Sequence, residues 1–392
     1  MTTVGIVGAG QLGSMLAMSI LDLGADVRFF DSDPEAPGRR FGHLTVGDYA
    51  DRQQVAQFAR ECDVLTYEFE NVSAEGLSAV TNVPILPSID VLRTCQHRLA
   101  EKQFLAAAGL PHVRFTALGI GDDLAHVARD FGLPCILKTQ TGGYDGKGQM
   151  RLHDAHSLDV GQEWVHSVPC VLEQSLELAW EASCIIAVDA RDRIAFPVFE
   201  NIHRDHILDF TVVPARLSRG VCDAMTAIAE AAAQKLGVNG LLTVEFFGTH
   251  KPSPGAANVD GTFVMVNELA PRPHNSGHVT RNACNLSQYD ALARTLVGAP
   301  LHRPELLPGG WCMANLLGDV WLSQHRVGGA LDWHQWQQHP EVASIVLYGK
   351  QEARDKRKMG HFVTHAPSSD KALSAAQMFR QLLRRPTVAE SR

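Results

Sequence analysis

The residues best suited to chemistry fall into separate groups along a chain of 392 residues. At 136–150 the run "ILKTQTGGYDGKGQM" sets Lys138 in an apolar stretch and follows it with Gly142, Gly143, Gly146 and Gly148. A lysine rooted on a strand fixes an anion as a point charge, and glycines let backbone amides approach the same anion. The loop is not a Walker A element: no glycine stands five positions before Gly146, and Gly148 rather than Ser or Thr follows Lys147. Asp145 and Gly146 alone would make a hairpin turn, but four glycines in seven residues exceed the needs of one turn. The run therefore reads as a phosphate loop between two strands.

A second group lies downstream. "GLLTVEFFG" sets Glu245 in an apolar strand, and "TFVMVNELAPRPHNSGH" sets Glu268, beside Asn267, in another. A carboxylate in such surroundings is costly unless it is paired or binds a cation. Two carboxylates from neighbouring strands suit Mg2+, with Mn2+ as its substitute, bridging nucleotide phosphates; oxygen donors without a His/Cys set argue against zinc. The competing reading is an ion pair with Arg272. Asn267 and Glu268 alternate faces on an ideal strand, so their joint use requires a β-bulge.

The third group is the N-terminal turn. "TTVGIVGAGQLGSMLAMSILDLGADVRFFDSD" gives a strand at 3–7, a glycine turn at 8–13, a helix ending near Gly24 and a second strand ending at Asp31 and Asp33. This βαβ unit carries GxGxxG. It suits a dinucleotide with Asp31 or Asp33 on its ribose, another phosphate ligand, or close strand–helix packing alone. A helix near 52–60 and a strand at 63–72 follow; the strand delivers Glu68, Glu70 and Asn71 at or beyond its carboxyl end, to hold ribose hydroxyls or cap the next helix. Segment 89–108 has helical spacing, with Arg98 and Lys102 on one face, either functional or simply solvated.

These groups need elements to hold them. Glycine and proline at 109–115 mark a boundary, and "VPCVLEQSLELAWEASCIIAVDARDRIAFPVFENIH" reads as strand, turn and strand. In it, 173–180 could serve as a hinge whose backbone edge reads adenine, with Glu181 on ribose hydroxyls. The last region has a strand within 308–321, then "ASIVLYGKQEARDKRKMGHFV", in which Lys350, Arg354, Lys356, Arg357 and Lys358 crowd together, and a terminal helix. The basic segment reads as a compact phosphate clamp rather than a nucleic-acid patch, because the chain carries a net charge of -8 and lacks aromatic interleaving there. Arg354 and Lys356 read as surface charge. With 45% hydrophobic residues the chain can bury large cores, and its length favours two or three domains. Eight scattered cysteines without a CxxC pair read as reduced thiols. With no basic leader and no apolar run of ~20 residues, a soluble cytoplasmic protein that binds neither membrane nor nucleic acid is expected.

Taken together, "GAGQLG", "YEFENV", "TGGYDGKGQ", "LEQ", "FENIH", "NELAPRPHNSGH" and "LYGK" resemble, in order and over nearly the whole chain, the ATP-grasp ligases of the 5-(carboxyamino)imidazole ribonucleotide synthase (PurK) family. "GGYDGKG" and "NELAPRPHNSGH" are the specific elements. The resemblance implies a mixed α/β and α+β, three-domain fold: a Rossmann-like parallel sheet at 1–110, ATP-grasp lobes at 111–300 and a small substrate-binding domain at 301–392. It implies ATP and Mg2+ as cofactors, 5-aminoimidazole ribonucleotide and bicarbonate as substrates, and a homodimer.

Residue by residue, the resemblance puts ATP phosphates on Arg98 and Lys138 beneath a lid of Gly143, Tyr144, Asp145, Gly146, Lys147, Gly148 and Gln149. Adenine would lie against Glu173, Gln174, Ser175 and Leu176, ribose on Glu181, and a further nucleotide contact at His203. Glu245 and Glu268 would bind the metal, with Asn267 beside them. Gln11 and Leu12 of the glycine turn, with Glu70 and Asn71, would face the ribonucleotide. Lys350, Arg357 and Lys358 would take its 5'-phosphate. Tyr144, Asp145, Arg272 and Lys350 would orient acceptor and carboxyl group. Ala9 stands where the family commonly has glycine, a departure expected to leave the backbone donors available. The alternatives are a formate-dependent glycinamide ribonucleotide formyltransferase, an NAD(P)-dependent oxidoreductase, and a nucleotide-binding protein without turnover.

Overall fold

The structure is a computed structural model and describes residues 1–143, 146–322, 336 and 338–384. Its first sheet is parallel, in the order β3 (His43–Val46), β2 (Asp26–Asp31), β1 (Thr3–Val7), β4 (Val64–Tyr67). β4 is shorter than the expected 63–72, because the chain turns at Glu68, whose carboxylate is drawn to the amides of the glycine turn. The helix Gln11–Asp22 follows that turn and buries Leu12, Leu16 and Ile20 in a core shared with Tyr289, Leu292 and Leu296 of the helix Gln288–Val297. Ser19 Oγ donates to Asp290 across the same contact, 2.6 Å. The N-terminal unit is thus packed onto the central one.

The second sheet is a small antiparallel one, ordered β5 (Phe115–Leu118), β8 (Cys170–Gln174), β6 (Cys135–Thr139), β7 (Gln149–Leu152). The third is large and antiparallel. Its strands run β14 (Ala257–Val259), β15 (Thr262–Ala270), β13 (Gly240–Thr249), β9 (Trp180–Val188), β11 (Phe199–Arg204), β12 (Ile207–Val213), β16 (Gly310–Leu317), β18 (Lys358–Ala366), β17 (Val342–Leu347), with β10 (Arg193–Ala195) on β9. The C-terminal strands therefore extend the central sheet through the β12–β16 pairing, which spans Phe210–Val213 against Trp311–Ala314. Local periodicity carries no information about such a distant pairing. The terminal helix Ser369–Leu383, capped by Ser368, packs Ala376 and Phe379 against Phe362 of this extension.

The helix expected over 89–108 is broken in two, Ile89–Gln96 and Arg98–Ala107. His97 is extended (φ -119°, ψ 103°), its ring accepts from the Ala100 amide at 3.3 Å, and the Arg98 amide donates to Gln140 O at 2.8 Å. No Pro or Gly announces this break; a histidine acting as N-cap makes it. The consequence is functional, since the second helix now starts at Arg98 and points its first turn at the loop after β6.

Candidate active site

The cleft lies between the small sheet and the large one. On the small-sheet side Lys138, on β6, donates to Glu173, on β8, at 2.7 Å. The fully buried Lys102 ammonium stands 3.8 Å from the other oxygen of Glu173. Lys102 is thus no surface residue, although its i,i+4 spacing from Arg98 allowed that reading. Burial opposes ionisation of Glu173, yet Lys102, Lys138 and Arg98 hold it down to about 2. Burial pulls the Lys138 ammonium below its ordinary value, with Glu173 acting the other way. Three cations around one carboxylate leave this wall positive. Arg98 also reaches the loop: an added Cβ on Gly143 would lie 2.3 Å from Arg98 Nη2.

The opposite wall is negative. Glu245 of β13 pairs in register with Glu268 of β15, whereas Phe246 pairs with Val266, so Asn267 is the extra residue of a β-bulge. The bulge that joint use of Asn267 and Glu268 requires is present. Glu245 takes a 2.8 Å contact from His274 Nε2, not from Arg272, whose Nε lies 2.9 Å from Glu70. Despite burial, His274, His203 and Arg272 hold Glu245 down to about 2. Burial and the carboxylates of Glu245 and Glu70 push Glu268 up to about 7, against the pull of Arg98 and Lys138. Crowded carboxylates are what a cation relieves, and two oxygen donors plus phosphate oxygens suit Mg2+. Among the described residues no group of three or more His, Cys, Asp and Glu side chains forms a metal cage. A metal here would therefore share its coordination with ligand oxygens.

The link between the walls runs from Gln174 to Trp180. The backbone at Glu173 pairs on both sides, with Phe115 and Ile136, and the Gln174 amide donates to Arg114 O at 3.0 Å. Of the expected base-reading edge, Glu173 and Gln174 therefore end the strand β8, and Ser175 and Leu176 lie beyond it in the link. Glu181, the second residue of β9, stands 3.0 Å from His203 on β11. That contact raises His203 above its ordinary value although burial alone would lower it. Gly146 lies against His206 in the β11–β12 turn, and Gln149 Nε2 approaches the same ring at 3.4 Å. Lys147 is exposed beside them, and Gly148 O accepts from the Thr139 amide at 2.9 Å. Tyr144 and Asp145 lie outside the described residues.

At the N-terminal turn the expectation of available donors fails for residues 9, 10 and 13. The Ala9 amide donates to Asp31 at 2.6 Å, the Gly10 amide to Glu68 at 2.5 Å, and the Gly13 amide to the other oxygen of Glu68. Asp31, one of the two residues offered to a dinucleotide ribose, also accepts from the amide of the other, Asp33, at 2.9 Å. Glu68 therefore caps this helix, while Ser73 caps the helix after β4, Ala74–Leu77, accepting from the Gly76 amide at 2.9 Å. Gln11 is partly exposed, Leu12 is buried in the core and Asn71 is exposed. From the C-terminal extension, Lys350 Nζ donates to Lys358 O at 2.9 Å, and its charge acts on Glu68. Gln351 approaches Glu35 at 3.4 Å, and Arg357 donates to Glu352 O at 2.9 Å. Lys350 and Arg357 lie in the turn between β17 and β18, and Lys358 begins β18. Arg354 pairs with Glu352 on the surface at 2.6 Å, and Lys356 is exposed.

This cleft has counterparts. The ribonucleotide synthetase preATP-grasp domain matches residues 1–96, the ATP-grasp domain 103–289, and the phosphoribosylaminoimidazole carboxylase C-terminal domain 312–375. An N5-carboxyaminoimidazole ribonucleotide synthase from Staphylococcus epidermidis is 36% identical over 363 residues, 92% of this chain and 91% of that one. The chain belongs to the N5-carboxyaminoimidazole ribonucleotide synthase family. Within this family, the Staphylococcus aureus synthetase solved with ADP superposes with a TM-score of 0.86 at 33% identity, covering 97% of both chains. The Aspergillus clavatus synthase solved with ADP and 5-aminoimidazole ribonucleotide has a TM-score of 0.83 at 28% identity, covering 97% of this chain and 98% of that one. The architecture is that of the family: N-terminal sheet, central ATP-grasp lobes, C-terminal domain.

Several residues of this synthase-family cleft escaped sequence reasoning. His274 sits in "PRPHNSGH" but, as a single histidine, gave no sign that it would meet Glu245. Asn275, next to it, has both side-chain polar atoms buried without a partner among the described residues. Lys102 shared a helical face with Arg98 that solvation alone could explain, and Glu101 was not singled out. Both become inward-facing because the helix starts anew at Arg98, a break that the sequence does not announce.

Proposed function

We propose that this chain is an ATP-dependent carbon–nitrogen ligase that carboxylates 5-aminoimidazole ribonucleotide with bicarbonate, releasing ADP and phosphate. The observation that carries the reading is the facing of two charged walls: Arg98, Lys138 and Lys102 on one, the bulge-aligned Glu245 and Glu268 on the other. A triphosphate carries negative charge that the first wall binds directly and the second binds only through a cation. Bicarbonate is a poor electrophile, and attack of its oxygen on the γ-phosphorus of ATP gives carboxyphosphate and ADP. The exocyclic amine of the ribonucleotide then attacks the carbonyl carbon, and phosphate leaves. Lys138 and Arg98 offset the charge that builds on the transferring phosphoryl oxygens. Mg2+ or Mn2+, when bound by Glu245 and Glu268, supplies further neutralisation of the same oxygens. Arg272, held at 2.9 Å by Glu70, and Lys350 flank the space for acceptor and carboxyl group. Gly146 and Gln149, which rest on His206, close over the phosphates and keep water from the acyl phosphate.

The test is acceptor-dependent phosphate release. Phosphate forms when ATP, Mg2+, bicarbonate and 5-aminoimidazole ribonucleotide are combined, and omission of any one reduces it to background. Equal release with formate and glycinamide ribonucleotide overturns the assignment in favour of the formyltransferase. Glu268→Gln keeps the fold and loses this turnover; wild-type turnover in that variant removes the metal role.

A further inference from the structure

We propose that Glu101 and Lys102 are positioning residues that hold the β-bulge at Asn267 and thereby the separation of the two metal-binding carboxylates; this rests on the metal reading above. β14 pairs with β15 only over Thr262–Val264, so the backbone beyond Val264 has a free edge that neighbouring groups must satisfy. The Val266 amide there donates to Pro111 O at 2.9 Å. The Asn267 carbonyl accepts from Lys102 Nζ at 2.6 Å, and the Leu269 amide donates to Glu101. In a regular strand the groups facing one edge recur at every second residue. Here they belong to 266, 267 and 269, so the phase slips by one at the bulge.

Both clamps come from adjacent residues of one helix, Arg98–Ala107, which contributes an acceptor for the amide after the bulge and a donor for the carbonyl within it. Slipping the bulge back by one residue would need both bonds to break, and it would turn Glu268 to the other face of β15, away from Glu245. Lys102 is also the second cation beside Glu173, 3.8 Å away. The helix that starts with Arg98 at the phosphate loop therefore sets the geometry of both walls. Neither Glu101 nor Lys102 needs to touch ligand to do so. Groups that orient metal ligands in this way typically change metal affinity by 10–100-fold when removed.

The experiment titrates Mn2+ into the full chain with saturating ADP, following free Mn2+ by electron paramagnetic resonance, and separately measures ADP affinity without metal. Glu101→Ala and Lys102→Met weaken Mn2+ retention by ~10-fold or more, beyond any change in metal-free ADP affinity. Glu101→Gln, which keeps an acceptor for the Leu269 amide, stays within ~3-fold of wild type. Folded variants with wild-type Mn2+ affinity, or equal loss of Mn2+ and metal-free ADP binding, overturn the proposal. So does failure of both Glu101→Ala and Lys102→Met to fold, since the role is then stability. Glu268→Gln is the control: if it too retains Mn2+, the metal reading fails rather than the clamp alone.

Discussion

The chain has two glycine-rich segments, 8–13 and 142–148, that offer backbone amides in the same way, and their surroundings carry opposite charge. Around the first stand Asp31 and Glu68, which accept from the amides of residues 9, 10 and 13. Around the second stand cations, Lys138 at its base and Arg98 against Gly143. Amides aimed at one point bind whatever anion is nearest, and a carboxylate built into the chain is always nearest. The difference therefore lies in which side chains the fold brings to the amides. The first turn commits the amides of residues 9, 10 and 13 to holding strand to helix and leaves those of Gln11 and Leu12 outside that network. The second loop has a positive floor, as a phosphate site needs.

The largest expected effect breaks the second site. Lys138→Met removes the strand-rooted charge while keeping much of the side chain's bulk, and turnover falls by ~10²–10³-fold in a steady-state phosphate-release assay. Near-wild-type turnover would mean that the loop owes its glycines to its own folding, as the first one does. A smaller effect breaks the first site. At Gly8, φ is +99°, and an added Cβ would lie 2.5 Å from Glu68 Cγ and 2.9 Å from the Phe69 ring. Gly8→Ala loses about 3 kcal/mol in urea unfolding, from the left-handed backbone and from overpacking together. Affinity for ADP, which we propose binds between the other walls, is retained. An undestabilised Gly8→Ala would show a turn loose enough to admit an outside anion.

How much of this was legible depends on how far apart in sequence the partners lie. The βαβ unit, the hairpin carrying the glycine loop and the apolar strands around Glu245 and Glu268 follow from local periodicity and turn residues, and they stand in the structure as β1–β2, β6–β7 and β13–β15. That a bulge was needed followed from strand alternation; that Asn267 is the extra residue depends on pairing with β13. The side-chain partners of Glu245 and Arg272 were out of reach for the same reason. Their type was readable, but His274 and Glu70 reach them through the fold. Ala9 was read as harmless because donors were counted without the acceptors that Asp31 and Glu68 bring from the ends of β2 and β4. The break at His97 was invisible because a side-chain cap, not a helix breaker, makes it. Charges four apart on an unbroken helix would have faced water.

The charge state of Glu68 sharpens the comparison most finely. Burial pushes its carboxyl up to about 7, although the amides of Gly13 and Gly10 favour the ionised form. A carboxyl with a raised folded-state pKa stabilises most below its unfolded value near 4.5, and that contribution is lost as pH rises through 7. Glu68→Gln mimics the neutral carboxyl and has no such dependence. The stability advantage of wild type over this variant therefore shrinks by about 1.4 kcal/mol per pH unit between those values and then levels off. Urea midpoints of both proteins from pH 4.5 to 8 measure it. A gap that widens with pH instead would mean that the two amides and the charge of Lys350 outweigh burial, so that the first turn holds a full carboxylate as tightly as a phosphate site holds its ligand.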